Sequence, residues 1–210
     1  MNSEADPRVA ATRVPAGGGR ARYDEFSIKL HWLTVFLVLV QFGLAELWGF
    51  APRGIKHLMI VGHMSFGIIL AAVLIVRVVW RSLPSHRVRP AATGILELVA
   101  KSVHHLLYVL LCVQAALGFL LRWSGHQAMS FFGLLIPPFF PPFSKPAHHL
   151  VGEAHNYVGW AIIIIAVGHA TVAIFHNFFL HDDVLRRMLP MRYARPDKAR
   201  DQSPELTGRR

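Results

Sequence analysis

Of the 210 residues, 53% are hydrophobic and only 16% are Asp, Glu, Lys or Arg, with a formal net charge of +10. Eight of the 34 charged residues lie in 1–25 and thirteen in 182–210, leaving thirteen for the 156 residues between. A middle so poor in charge cannot supply the polar skin of a water-soluble domain, and with Cys112 as the single cysteine a disulfide scaffold is excluded. The pattern is that of an integral membrane protein with two polar tails.

The N-terminal segment 1–25 reads as a disordered tail. The domain 26–181 then holds four apolar stretches, at about 30–48, 58–80, 103–123 and 157–180. Each is long enough to cross about 30 Å of hydrocarbon at 1.5 Å per helical residue. Each must be a helix, because lipid offers no partner for an open backbone group. Three of them end on a tryptophan (Trp48, Trp80, Trp123), as an interfacial aromatic belt requires. No internal repeat stands out. Between the third and fourth spans lies a loop, 124–154, with a short apolar run, Met129–Ile136, followed by PPFFPPF (Pro137–Phe143). That run is too short to span, and reads as an interfacial turn or short helix on the outer leaflet. The chain closes on a basic tail, 182–210. Lys and Arg divide 18 to 4 between the side that carries both tails and the opposite side, which predicts that both termini are cytoplasmic. The positive charge is thus explained by topology and anionic headgroups, with no need for a nucleic-acid partner.

Histidine is the polar residue that enters the membrane. His31, His63, His104, His105, His169 and His176 fall inside the spans, and His155 stands at the start of the fourth. Ionisable groups in lipid are costly and mark function, and imidazole ligates zinc, copper and haem iron. His155 and His169 are 14 residues apart. That is almost four turns, so they share a face about 21 Å apart, too far for one ion and suitable for two haems stacked across the bilayer. His63 and Arg77 repeat the 14-residue spacing, and His104 and Arg122 are 18 apart on one face. Arginine pairs with carboxylates in a bidentate way, so Arg77 and Arg122 are candidates to hold haem propionates. Gly67 and Gly159 each lie four residues after a histidine, where a small residue leaves room for a porphyrin face. Depth pairs His63 with His155 at the outer side and His31 with His169 at the inner side, with His104 and His176 open as inner alternatives. Two imidazoles per iron, with no open position, suit electron transfer. A zinc or copper transporter would want carboxylates inside the spans, whereas Glu46 and Glu153 both sit at the outer edge.

The motifs SIKLHW (Ser27–Trp32), GHMSFG (Gly62–Gly67), HHLLY (His104–Tyr108), AHNYVGW (Ala154–Trp160) and the stretch from GHA (Gly168–Ala170) to LRRMLP (Leu185–Pro190) resemble, in order and spacing, the bacterial di-haem cytochrome b family of the b-561 type. The resemblance covers roughly 23–190. It implies an all-α four-helix bundle in the bacterial inner membrane with two haems b. The family's haem positions match His31, His63, His155 and His169, and His104 and His176 also match family histidines. It further implies a superoxide oxidase, taking electrons from superoxide at the periplasmic face and passing them to ubiquinone. The alternative is a cytochrome subunit relaying electrons between a partner dehydrogenase or hydrogenase and the quinone pool.

Overall fold

A computed structural model describes residues 24–83, 95–179 and Met188. Most of both expected tails, and the connection 84–94, lie outside the described residues. The elements are α1 (Glu25–Leu47) with a short 3-10 turn (Trp48–Phe50), α2 (Arg53–Ser82), α3 (Ile95–Ser124), β1 (Met129–Phe131), β2 (Leu134–Ile136) and α4 (Lys145–Phe178). All four helices are long and apolar enough to cross a membrane.

Each helix begins before the apolar stretch that marks it. The 34 residues of α4 measure about 51 Å against about 30 Å of hydrocarbon, so its first turns stand outside the apolar layer. The helix therefore begins at Lys145, well before the expected 157, and His155 lies inside it rather than at its start. Its first turn is built locally: Ser144 is the N-cap, its Oγ accepting from Ala147 N at 3.4 Å, and Pro146 stands where a missing N–H costs nothing. At the start of α1, Asp24 accepts from Ser27 N at 3.0 Å and Ser27 Oγ at 2.8 Å. Trp80 Nε1 also donates to Asp24, at 3.2 Å, clipping the start of α1 to the end of α2. Partial burial alone would raise the Asp24 carboxyl, but the hydrogen bonds from Ser27 and Trp80 outweigh it and hold the group below its ordinary value.

The helices pack as two antiparallel hairpins, α1 on α2 and α3 on α4, joined mainly across α2 and α3. Leu37, Leu70 and Leu74 form the buried core, with Phe66, Tyr108 and Leu111 against it. Phe36, Leu39, Ile75, Val79, Val109, Ile164 and Val167 point outward and exposed. An apolar exterior of this kind matches hydrocarbon and would be untenable in water. One end of the bundle, the tail side, carries the starts of α1 and α3 and the ends of α2 and α4; the other is the β-hairpin side.

The run Met129–Ile136 is neither a simple turn nor a helix. It forms an antiparallel two-stranded hairpin, with Met129 opposite Ile136 and Phe131 opposite Leu134, the one departure from an all-α chain among the described residues. Phe132 (φ 48°) and Gly133 (φ 97°) make the reversal, both left-handed as a two-residue primed turn requires. The hairpin is pinned to α2 by the fully buried Ser65, whose Oγ accepts from Phe132 N at 2.8 Å and donates to Val61 O at 2.7 Å. Replacing Ser65 by alanine strips the Phe132 amide of its partner, a loss of about 0.5–1.5 kcal/mol for a partly buried hydrogen bond. The expected outcome is a lower melting temperature in detergent and faster proteolysis between β1 and β2. An unchanged proteolysis rate would show that Ser65 does not hold the hairpin.

Candidate cofactor site

The bundle interior carries two layers of polar side chains. In the hairpin-side layer, His63 of α2 and His155 of α4 face each other with ring centroids 6.3 Å apart and planes at 76°. Trp48 packs edge-on against His63 at 5.3 Å, and Gly118 backs His155 so closely that a Cβ there would lie 3.3 Å from the ring. His63 Nδ1 lies 3.1 Å from Gln41 O. A backbone carbonyl can only accept, so the Nδ1 proton is used there and Nε2 keeps its lone pair, the arrangement that prepares a metal ligand.

This layer fits a haem. Metal–imidazole bonds are about 2.0–2.1 Å long, so two rings with centroids 6.3 Å apart leave room for one metal ion to be held between them. Gly67 and Gly159, one turn beyond the two histidines, are close-approach positions. A Cβ at Gly67 would fall 2.6 Å from Gln41 Nε2, and one at Gly159 would fall 3.1 Å from Gln114 Nε2. Gln41 Oε1, Gln114 Oε1 and His155 Nδ1 are buried without a hydrogen-bond partner among the described residues, a concentration of unmet polar groups that a polar cofactor would answer.

The tail-side layer holds three histidines and an arginine. Arg77 Nη2 lies 3.4 Å from His31 Nδ1, and the guanidinium stacks over Tyr108 at 5.1 Å from the ring centre. His104 and His169 meet with ring centroids 4.9 Å apart. The pair His63 and His155 is thus brought together edge-on. On the tail side His169 meets His104, while His31 meets Arg77. Arg122 closes the hairpin end of α3, donating to Gln127 Oε1 and, at 3.1 Å, to Ala128 O. Its Nε is buried without a hydrogen-bond partner among the described residues. His176 lies at the tail-side end of α4. Among the described residues no three His, Cys, Asp or Glu side chains converge as an ion site.

A repeat that linear inspection misses becomes visible once the two hairpins are set side by side. His31 and Gln41 are ten residues apart on α1, as are His104 and Gln114 on α3. On α2, Gly67 and Arg77 follow His63 by 4 and 14 residues; on α4, Gly159 and His169 follow His155 by the same steps. The glutamines carry no charge and escape any count of ionisable residues, yet they share the hairpin-side layer with the histidines. The sole signal for them in the sequence is this repeated spacing.

The prokaryotic cytochrome b561 family model matches residues 22–191. Among individual proteins, the chain is 30% identical over 172 residues to cytochrome b561 homolog 2 of Escherichia coli K12, covering 80% of this chain and 91% of that protein. It is 27% identical over 175 residues to the probable superoxide oxidase CybB of Yersinia pestis, with 80% and 96% covered. It is 26% identical over 176 residues to cytochrome b562 of Cereibacter sphaeroides, with 80% and 94% covered. The chain belongs to the prokaryotic cytochrome b561 family, and is a multi-pass bacterial membrane protein of electron transfer whose cofactor is b-type haem.

Proposed function

We propose that the protein is a di-haem superoxide:ubiquinone oxidoreductase of the bacterial inner membrane. The observation that carries this reading is the pair of polar layers, with facing imidazoles on the hairpin side and the His31, Arg77, His104 and His169 group on the tail side. His63 and His155 would hold one haem, His31 and His169 the other. Arg77 and Arg122 would pair with propionates. A b-type haem with two imidazole ligands exchanges single electrons and presents no open coordination position. The chain supplies ligation, the tautomer fixed at His63 by Gln41 O, and an apolar wall that keeps water from the bundle centre.

The positive-inside distribution of Lys and Arg supports a cytoplasmic tail side and a periplasmic hairpin side. Superoxide as donor is supported by the relative named a probable superoxide oxidase. It is also supported by the four cations near the hairpin-side ends, Arg53, Lys56, Arg122 and Lys145, against Glu46 and Glu153. Such a surplus favours approach of a small anion. The reaction balances as two superoxide anions giving two dioxygen, with ubiquinone taking the two electrons and two protons to become ubiquinol.

The test is reduction of the purified chain by a superoxide-generating system, followed by the visible haem bands. Rapid reduction abolished by superoxide dismutase is the expected result. No superoxide-dependent reduction, together with copurification of a dehydrogenase or hydrogenase, would replace this reading by that of an electron-relay subunit.

A further inference from the structure

We propose that Gln41 and Gln114 are paired positioning residues for the cofactor held between His63 and His155, and that their carboxamides set its redox potential. The inference rests on the assignment of a haem to those two histidines. Uncharged amides deep in a membrane bundle are costly unless they interact with something, and are most simply explained as interhelical glue. That explanation is incomplete for this pair. Gln114 Nε2 does reach across from α3 to His155 on α4, but each Oε1 is buried without a partner among the described residues, so neither carboxamide closes a bond with the other and half of each amide is left unmet.

Both amides instead address the same place. Gln41 Nε2 lies over Gly67 and Gln114 Nε2 over Gly159, the glycines one turn beyond the two facing histidines. Gln114 Nε2 is 3.3 Å from His155 Nε2, and the Gln41 backbone carbonyl is 3.1 Å from His63 Nδ1. The two glutamines occupy equivalent positions in the repeated pattern, ten residues after His31 and His104, so each helical hairpin presents one histidine and one amide to a common centre. In a low-dielectric interior a polar side chain beside a haem acts on the balance between ferric and ferrous states, because the ferric state carries one more positive charge. An apolar replacement favours the less charged ferrous state and raises the potential. A carboxylate favours the ferric state and lowers it.

The experiment uses the full-length haem-loaded chain with Gln41→Leu, Gln114→Leu, Gln41→Glu and Gln114→Glu. Haem-to-protein ratio and both midpoint potentials are read by spectroscopic redox titration. The expected result is wild-type haem content with one potential displaced, upward for leucine and downward for glutamate, and the other unmoved. The displacement should be at least five-fold in the reduced-to-oxidised ratio, about 40 mV at 59 mV per decade for one electron. If a glutamate variant does not accumulate, the leucine arm decides alone. Unmoved potentials, shifts of both haems together, or shifts of the same sign for leucine and glutamate would overturn the proposal. His63→Ala and His155→Ala in the same assay separate it from its premise. If these retain full haem content, the cofactor assignment fails. If they lose one haem and the glutamine variants change nothing, the glutamine proposal alone fails.

Discussion

Alanine at His63 or at His155 should remove one haem, and the same haem, from the purified protein. The two rings belong to different helical hairpins, yet their centroids lie 6.3 Å apart, close enough for both to hold one iron. A ligand substitution removes a metal bond outright, a larger loss than the 10- to 100-fold affinity cost typical when only a surrounding partner is removed. The fold should survive, because Leu37, Leu70 and Leu74 lie in a different part of the interior. The measurement is haem per protein, with the two haems distinguished by redox titration. Both variants should keep one haem of identical potential. Two variants that retained different haems would break the pairing of His63 with His155.

The second large effect concerns the tail side, where the geometry offers three imidazoles for one cofactor. His31→Ala and His169→Ala should each lose the haem that the first pair of variants keeps, whereas His104→Ala should keep both. His104 touches His169 at 4.9 Å between centroids, so its loss will be felt as a change in the environment of that haem rather than its departure. Arg77, held between His31 and the Tyr108 ring, brings a fixed positive charge into this layer, where haem carboxylates would find a bidentate partner. A His104→Ala protein with one haem, beside a His31→Ala protein with two, would exchange the roles of these residues.

The spans were legible because lipid imposes a single demand, a long run without charge, and α1 to α4 all meet it. Their ends were less legible, since a helix does not stop where hydrocarbon stops. The first ten residues of α4 include His148, His149 and Glu153, too polar for an apolar window, and the helix start is set by the Ser144 cap and Pro146. The β-hairpin was hidden for a different reason. Gly133 marks a reversal, but a phenylalanine with positive φ at 132 is not a local preference, and the contact that steadies it comes from Ser65, far away in sequence. At the site, histidine chemistry and periodicity exposed the hairpin-side pair. The glutamines lay outside a reading that looked for titratable groups, and Gly118 shows its purpose only beside the ring of His155.

The most direct test of a two-layer di-haem bundle is a reduced-minus-oxidised visible spectrum of the purified chain, combined with quantitative haem and protein determination. Two b-type haems per chain, with two resolvable potentials, is the expected result. A single haem per chain, or none after expression with ample haem supply, would contradict it.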